Sequence, residues 1–429
     1  MRSPFALSAN VVPDQHKKAS NFRPLRVAML SIHSSPLGKL GTAETGGMSV
    51  YVSEVSRELG RAGHSVDIYT CAEDGRGSSE VFLFENVRLI QPSVGHNRHV
   101  TKSTLIGSLQ EVFSWIDAYV KGTHICYDII HSHYWLSGLV GRLAQEQWHV
   151  PQVVMFHTTG MAKRVACSHE REPTLRLLAE KRLAHESDRI LATTEREKNL
   201  LIRYYGVPRG KIGIVPCGVN LERFRPVMKK HARKELGLQD SHYIVLYVGR
   251  LAPVKGIDRL MAAAAYLRFY RGLQFIIIGG DDQRTRESSD LGRLARRSYV
   301  DDIVKFQGRV EHDRLPLYYS AADVLVVPSY YESFGLVALE SLACGTPVIA
   351  SRTGAMDILI QDGKTGLLLD TLSPRTLASA IQRLIIDSSA GVLSHEEIRA
   401  SVLRYAWPNI ASAVAQEYTS VLDACVLQS

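Results

Sequence analysis

The chain has 429 residues, which is too many for one ordinary hydrophobic core, so its length predicts two domains of about 200 residues each. Hydrophobic residues make up 45% and charged residues 22%, as in globular proteins, and no apolar run reaches the ~20 residues that a membrane-spanning helix needs. The net charge of +8, from 51 basic and 43 acidic residues, favours anionic ligands or membrane surfaces, although an evenly solvated basic surface is the simpler explanation. Aromatic residues do not interleave with the basic clusters, so a nucleic-acid-binding module is not expected.

The amino-terminal segment and the cysteines indicate a protein of the reducing cytoplasm. Residues 1–23 mix polar residues and proline without a continuous apolar core, so we expect a mobile tail rather than a signal peptide. The six cysteines are widely scattered and form neither metal-ligand pairs nor a disulfide framework. We therefore expect most of them to be small buried hydrophobic residues, and we expect a cytoplasmic location.

The first half of the chain alternates predicted strands with predicted helices. Apolar runs of strand length lie at residues 26–32, 66–71, 87–90, 129–131, 153–156 and 190–193. Helical periodicity fills the gaps, for example at residues 49–62, 105–120 and 174–187. This alternation predicts a doubly wound parallel sheet with helices on both faces.

A second alternation of the same kind follows a segment rich in glycine and proline. Residues 206–220 carry the residue types of a linker, and we place the domain boundary between residues 208 and 209. Further strands are predicted at residues 243–248, 275–278, 304–307, 324–327 and 348–350. A last amphipathic helix begins near residue 407. The sequence therefore predicts two similar α/β halves with a cleft between them.

Two positions in the first half are candidates for ligand contact. Gly47 lies in a glycine pair between the first strand and the helix predicted from Ser49, and glycine lets the backbone approach a ligand closely. His157 directly follows an apolar strand and so points to the cleft, although a lone histidine at such a position is more often structural.

The first strand of the second half leads to a pair of basic residues. Arg250 closes the strand and Lys255 precedes the next predicted helix, so both cations lie where a diphosphate group would sit. Loops at Gly279-Gly280 and at residues 308–310 follow the next strands and line the same cleft. In the second of these loops, Arg309 and Val310 are candidates for ligand contact.

The most informative segment lies between the predicted strands 324–327 and 348–350. Glu332 falls on the loop after the first of these strands, and Glu340 lies two turns along the helix predicted at residues 336–343. A strand, helix and strand of this length form a parallel βαβ unit, whose ligands bind at the strand carboxyl ends. Backbone N–H groups at the helix start can donate to an anion or to sugar hydroxyls; they belong to Phe334, Gly335 and Leu336. Two carboxylates flanking such a helix start suit a polyhydroxylated ligand that carries phosphate.

The Glu-x7-Glu spacing of Glu332 and Glu340 resembles the family 4 retaining glycosyltransferases of the GT-B fold. The resemblance implies two Rossmann-like domains facing each other across a cleft, and transfer of a hexosyl group from a UDP- or GDP-type sugar with retained anomeric configuration. It also implies that the last helix crosses back onto the first domain. Residues 24–208 plus 408–429 then form the acceptor-binding domain, and residues 209–407 the nucleotide-sugar-binding domain.

The same resemblance implies roles for individual residues on the donor side. Arg250 and Lys255 hold the pyrophosphate, Glu332 and the helix amides hold the sugar, and Glu340 holds the ribose. His157 hydrogen-bonds a hydroxyl of the donor sugar. The implied catalytic residues are His157, Arg250, Lys255 and Glu332. The implied donor-binding residues are Gly47, Arg250, Lys255, Arg309, Val310, Glu332, Phe334, Gly335, Leu336 and Glu340.

Residues 31–51 and 131–138 resemble a subgroup, the D-inositol-3-phosphate glycosyltransferases, and more distantly the sucrose-phosphate synthases. The subgroup pattern implies acceptor contacts through Ser49, Lys102, Tyr134, Thr158 and Arg176. Lysine and arginine converging on a pocket suit a phosphorylated acceptor. Because Ser49 replaces the asparagine of the subgroup, inositol phosphate and a sugar phosphate both remain open as acceptors.

The chain contains no Asp-x-Asp pair, with which metal-dependent transferases hold a divalent ion on the diphosphate. We expect Arg250, Lys255 and the helix dipoles to neutralise the charge of the leaving group in place of a metal ion. We therefore expect transfer without a metal and without a cofactor, the nucleotide sugar being a co-substrate.

Other hypotheses differ in the acceptor or in the class of protein. The acceptor could be a growing glycan or a lipid, and the chain could instead be a non-catalytic nucleotide-sugar-binding protein or a basic scaffold for membrane or RNA. Intact Glu332, His157, Arg250 and Lys255 argue against a silent binder. We expect a nucleotide sugar and a small acceptor as partners, no nucleic acid, and at most peripheral membrane contact, with a homodimer left open.

Overall fold

Two parallel sheets, each covered by helices, form the two halves of the molecule. The computed structural model describes residues 23–38, 46–71, 78–92, 105–166, 172–280, 286–389 and 393–427. The first sheet has eight strands in the order β3-β4-β2-β1-β5-β6-β7-β8, and only the pair β3–β4 is antiparallel. Its strands are β1 Arg26–Leu30, β2 Ser65–Tyr69, β3 Ser79–Phe84, β4 Val87–Gln91, β5 Ile129–His133, β6 Gln152–Met155, β7 Arg189–Ala192 and β8 Ile212–Ile214.

The second sheet has six parallel strands in the order β11-β10-β9-β12-β13-β14. Its strands are β9 Tyr243–Val248, β10 Leu273–Ile278, β11 Val304–Gly308, β12 Val324–Val327, β13 Val348–Ser351 and β14 Gly366–Leu369. Strand order reverses between β9 and β12 here, and between β1 and β5 in the first sheet. These are the points at which a parallel sheet opens a crevice for a ligand.

Helices connect the strands on both faces of each sheet. In the first half they are α1 Gly47–Arg61, α2 Leu109–Gly122, α3 Tyr134–Trp148, α4 Gly160–Ala166, α5 Thr174–Glu186 and α6 Glu195–Tyr205. In the second half they are α7 Lys229–Glu235, α8 Ile257–Leu267, α9 Arg286–Arg297, α10 Leu315–Ala321, α11 Leu336–Ala343, α12 Met356–Leu359, α13 Pro374–Ser389 and α14 His395–Ala400, followed by α15 Trp407–Val426.

Local signals explain where these helices begin and end. The α6 helix starts after Thr194, whose side chain accepts the Glu197 N–H at 3.0 Å, and it ends at Gly206 in the left-handed conformation. The α1 helix buries Tyr51, Val55 and Leu59 completely, because these residues recur at helical spacing on one face. Each such side chain contributes about 1.5–3 kcal/mol by leaving water.

The last helix returns to the first domain, as the family resemblance implied. Trp407, Val414 and Tyr418 of α15 are buried, and Glu417 accepts a hydrogen bond from Arg189 of β7 at 2.7 Å. One buried apolar cluster therefore contains residues of α1, α15 and the second sheet together. Pro408 lies in the first turn of α15, where a missing N–H costs nothing.

The domain boundary predicted between residues 208 and 209 is wrong. Strand β8 lies beyond that point, yet it pairs in parallel with β7 at the edge of the first sheet. The crossing to the second domain comes after β8 instead, near Val219. The sequence also did not predict β3, β8 and β14. Elsewhere the predicted strands and helices lie within a few residues of those observed.

No helix in the described residues has the length and apolar character needed to cross a membrane.

Candidate functional site in the interdomain cleft

A cavity of about 360 Å³ lies between the carboxyl ends of the two sheets and is lined by both domains. The first domain lines it with residues that follow β1, β5 and β6, and the second with residues that follow β9, β11 and β12. Most residues predicted to bind a ligand line this cavity, namely Gly47, Tyr134, His157, Thr158, Arg250, Lys255, Arg309, Val310, Glu332, Phe334, Gly335, Leu336 and Glu340.

The two domains touch across this cavity. A Cβ atom added to Gly47 of the first domain would lie 3.0 Å from Leu336 Cδ1 of the second. The Thr193 hydroxyl lies 3.4 Å from the Ser333 carbonyl oxygen, and Arg196 forms an ion pair with Asp357. The cleft is therefore in a closed arrangement, with room for a ligand between walls that already meet at their rims.

The loops after β9 and β10 depend on glycine. Gly279 has a φ of +140°, and a Cβ atom there would lie 1.8 Å from the Gly249 carbonyl oxygen. This close approach fixes the loop that carries Arg250, whose side chain is exposed toward the cleft. Within the described ranges, the Arg250 guanidinium forms no hydrogen bond or ion pair. It is thus available to an anionic ligand.

Lys255 and Glu332 join the loops after β9 and β12. The Lys255 Nζ donates to Glu332 Oε1 at 2.7 Å, and the Ser329 hydroxyl donates to the same oxygen at 2.8 Å. Glu332 is only 8% exposed, so these donors compensate much of the cost of burying its charge. The pair places a cation and a carboxylate side by side on the cavity wall.

The start of α11 faces the same space. Gly335 precedes the helix with a φ of +112°, and a Cβ atom there would lie 2.3 Å from Met356 Cε. The first N–H groups of a helix have no carbonyl partner within it, and they carry partial positive charge. The segment from Phe334 to Leu336 thus adds amide donors to the wall that holds Arg250 and Lys255.

Glu340 is held by two residues that the sequence reasoning missed. The Tyr319 hydroxyl donates to Glu340 Oε2 at 2.8 Å. His312 Nε2 lies 3.0 Å from Oε1, and because Arg223 donates to His312 Nδ1 at 3.0 Å, the histidine must donate from Nε2. Burial, together with the charge of Glu340, raises the pKa of Tyr319 well above its usual value, so this tyrosine stays a donor. No motif around Tyr319 or His312 indicated these contacts.

His157 lies on the first-domain wall in an unusual backbone conformation. Its φ is +58°, and Tyr134 at the end of β5 has a φ of +76°. Residues other than glycine rarely adopt a positive φ, and those that do cluster at functional sites. Burial lowers the pKa of His157 to about 3, so its imidazole is neutral at physiological pH. A neutral ring suits a hydrogen bond to a hydroxyl rather than to a phosphate.

Arg176, predicted to contact the acceptor, does not line the cavity but lies behind its wall. It is 2% exposed and pairs with Glu180 at 2.6 Å and Glu172 at 2.7 Å. It also donates to the Thr158 hydroxyl at 3.0 Å and lies 4.9 Å from the centre of the Tyr134 ring. Arg176 therefore supports two cavity residues from beneath.

Among the described residues of the first domain, Lys163 of α4 is a cation that lines the cavity, and the sequence reasoning missed it. Its Nζ donates to Glu172 Oε1 at 2.9 Å, and its side chain is 22% exposed. Its side chain lines the same cavity as Thr158 and Tyr134. Arg164 is also basic and adjacent, so the sequence alone could not show which of the two residues faces the cavity.

Ser49 and Lys102 complete the predicted acceptor residues. Ser49 is 1% exposed and does not line the cavity, and its hydroxyl lies 2.6 Å from that of Ser34. Ser34, which was not predicted, lines the cavity in its place. Lys102 lies outside the described residues. Within those ranges no group of three or more His, Cys, Asp or Glu side chains is placed to hold a metal ion, and independence from metal stays a prediction.

Comparisons with known proteins agree with this geometry. Residues 45–223 match the family model described as Glycosyltransferase Family 4, and residues 228–400 match that described as Glycosyl transferases group 1. A D-inositol 3-phosphate glycosyltransferase 2 of Catenulispora acidiphila is 38% identical over 410 residues, covering 93% of this chain and 96% of that protein. One from Streptomyces bingchenggensis is 36% identical over 416 residues, covering 93% and 90%.

Solved structures share the fold. The sucrose-phosphate synthase of Thermosynechococcus elongatus has a TM-score of 0.85 and 32% identity, and the match covers 93% of this chain and all of that one. Anabaena HepE, solved in complex with UDP and glucose, has a TM-score of 0.71 at 19% identity, with 92% of this chain covered.

Proposed function

Since this chain belongs to the glycosyltransferase family that these two models describe, we propose that it moves a hexosyl group from a nucleotide diphosphate sugar to a hydroxyl of a small phosphorylated acceptor. One observation carries the proposal. Arg250, Lys255 and the start of α11 surround one cavity, and His157 faces them from the other domain. Cationic side chains and helix amides suit a diphosphate, and the neutral histidine suits a sugar.

The second domain holds the donor. Arg250, Lys255 and the amides at the start of α11 neutralise the negative charge that grows on the departing diphosphate. Glu332 accepts hydrogen bonds from hydroxyls of the donor sugar while it keeps Lys255 in place. Glu340, fixed by Tyr319 and His312, accepts from the ribose hydroxyls. Neutralisation by these side chains also accounts for the absence of an Asp-x-Asp pair, so no metal is required.

The first domain holds the acceptor. Its phosphate binds Lys163, with hydrogen bonds from Tyr134 and Thr158, while Arg176 keeps those two residues in position. Either inositol phosphate or a sugar phosphate supplies these groups. The phosphate can replace Glu172 as the partner of Lys163, because Glu172 keeps its ion pair with Arg176 at 2.7 Å.

Transfer proceeds on one face of the sugar. Glu332 already accepts from Lys255 and Ser329, so it is not a free nucleophile. The acceptor oxygen attacks the anomeric carbon from the same face from which the leaving group departs. The configuration at that carbon is therefore retained. The bond from that carbon to the phosphate oxygen breaks, and the phosphate takes the acceptor proton. The closed domains keep water from competing.

A cytoplasmic location fits these substrates. The five cysteines in the described residues are free thiols, as in proteins of a reducing compartment.

Turnover with matched acceptors tests the proposal. The protein is incubated with a panel of UDP- and GDP-sugars, and each acceptor is offered with and without its phosphate while released nucleotide is measured. We expect release to require the phosphorylated acceptor and to fall at least tenfold in R250A, with K181A on the exposed face of α5 as control. Equal release with a dephosphorylated glycan or lipid acceptor would instead support an enzyme directed to those molecules. Nucleotide-sugar binding without release from any pair would support a non-catalytic binder.

A further inference from the structure

A row of buried side chains connects α15 to the cleft. His131 and His133 project from the same face of β5, two residues apart, and neither is exposed. The Tyr418 hydroxyl of α15 lies 2.7 Å from His131 Nδ1, and the His131 and His133 rings pack with their centres 4.1 Å apart. His133 Nδ1 then lies 2.9 Å from Nε2 of His157. The row therefore ends on the histidine that lines the cavity.

The His133–His157 contact leaves one ring nitrogen for a ligand. Because Nε2 of His157 is occupied by His133, only Nδ1 of His157 can serve a group in the cleft. Burial lowers the pKa values of both histidines far below their usual range, so both rings are neutral and the contact contains a single proton. Which histidine supplies that proton decides whether His157 Nδ1 is a donor or an acceptor.

The surroundings of His133 favour one arrangement. In the described part of the chain, Nε2 of His133 is buried and meets no hydrogen-bond partner. If His133 accepted at Nδ1, its own proton would sit on that isolated Nε2, and buried N–H groups without a partner are rarer than acceptors without one. His133 therefore carries its proton on Nδ1 and donates it to His157 Nε2. The proton of His157 then lies on Nδ1.

We propose that His133 is a positioning residue that fixes the ring of His157 and holds the His157 proton on Nδ1. His157 thereby offers an N–H donor to a hydroxyl oxygen of the donor sugar, a role that rests on the proposed function. His131 and Tyr418 hold His133 from behind, so the orientation of a cleft residue depends on a helix at the far end of the chain. Tyr51, packed edge-on against His157 with ring centres 5.3 Å apart, limits rotation of that ring.

Two amide substitutions separate positioning from packing. In H133N the side-chain amide lies where imidazole Nδ1 was and can still donate to His157, whereas in H133Q it lies one bond farther away. H64N is the matched control, since His64 is a buried histidine of the same domain whose Nδ1 accepts the Leu25 N–H at 3.1 Å. We expect H133Q to lower kcat at least tenfold with UDP or GDP affinity within twofold. H133N and H64N should stay within threefold of the unaltered protein.

Nitrogen-15 NMR of histidine-labelled protein shows directly which ring nitrogen of His157 carries the proton. The His157 signals, assigned by their loss in H157A, should show Nδ1 protonated in the unaltered protein and in H133N, and a mixture of tautomers in H133Q. A proton on Nε2 of His157 in the unaltered protein would overturn the proposal. So would unchanged turnover in H133Q, or equal losses of activity and melting temperature in H133N and H133Q. Absence of turnover in the unaltered protein would contradict the proposed function, while the NMR result would still decide the role of His133.

Discussion

At the scale of single residues, the Lys255–Glu332 pair shows how one contact serves both stability and binding. The carboxylate is buried and needs a donor, and the lysine is partly exposed and needs its charge directed toward the cavity. Each requirement is met by the other residue. The pair therefore exists before a ligand arrives, and a diphosphate finds the cation already in place.

We expect K255A to lower kcat/KM for the donor at least tenfold, because the growing charge on the leaving group loses a cation. It should also cost about 1–3 kcal/mol of unfolding free energy, since Glu332 keeps only its hydroxyl donor. Steady-state kinetics and urea unfolding measure the two effects. K229A is the control, because Lys229 pairs with Asp323 away from the cavity, and it should leave donor kinetics within twofold. Unchanged donor kinetics in K255A would contradict its assigned role.

Arg176 acts on the acceptor indirectly, through Thr158 and Tyr134. A conservative substitution can test this indirect role. Lysine keeps the charge of Arg176 but loses the planar fork that serves Glu180, Glu172 and Thr158 together. We expect R176K to raise KM for the acceptor about tenfold through misplacement of Thr158 and Tyr134, with donor KM within twofold. R182K, an exposed arginine on the same helix, should change neither value. Parallel increases in both KM values would contradict this role and point to a distortion of the whole cleft instead.

Sequence patterns could predict residues whose position follows from the end of a strand. Arg250, Lys255 and Glu332 were placed in this way, because the carboxyl ends of parallel strands share one edge. Patterns could not predict whether a side chain there faces the cavity or the core. The partners of Glu340 and the burial of Arg176 depend on how separate elements pack, and no local signal records that packing.

At the scale of elements, the loops between strand and helix are shaped by glycines that admit close backbone contacts. Strand β10 ends against the loop that bears Arg250, and Gly279 makes this contact possible. Short strands such as β8 and β14 escaped prediction because three or four apolar residues carry no periodicity. The misplaced domain boundary follows from the same limit, since β8 lies among the glycines and prolines of the predicted linker.

We expect G279A to weaken nucleotide binding by more than its loss of unfolding free energy would explain. The added Cβ would collide with the Gly249 carbonyl oxygen and shift the Arg250 loop. G237A is the matched control, because Gly237 also has a positive φ, of +65°, but a Cβ there meets nothing within 4 Å. That control isolates backbone strain, about 1–2 kcal/mol. Calorimetric titration with UDP or GDP should show at least tenfold weaker binding in G279A alone. Equal affinity in both variants would contradict this account of the loop.

At the scale of the whole molecule, the two domains are held in contact by small, separate interactions at the rim of the cleft. The side chains of the Arg196–Asp357 ion pair are 49% and 33% exposed, and the nearest approach of Arg223 to Glu54 is 4.0 Å. Such interactions are weak individually, which allows the cleft to open for substrates and close again. The overall architecture was predictable from the two strand–helix alternations, whereas the closed arrangement was not.

We expect R196A to shift the protein toward an open state without unfolding it. The exposed pair contributes at most about 1 kcal/mol, so kcat/KM should fall by no more than about fivefold and the unfolding free energy should barely change. Small-angle scattering with UDP or GDP should show a larger radius of gyration than for the unaltered protein. R182A, whose ion pair lies within one helix, should match the unaltered protein in both measurements. Equal radii would show that this pair does not hold the cleft closed.

The return of α15 to the first domain has a consequence for synthesis. Two chain segments pass between the domains side by side, joined where the Val219 N–H donates to the Tyr405 carbonyl at 2.8 Å. The ribosome makes α15 only after the entire second domain, yet α15 covers apolar residues of α1 and supports His131. The half that is translated first is therefore the half that matures last, and a nascent chain must keep an uncovered apolar surface from aggregating until those final turns emerge.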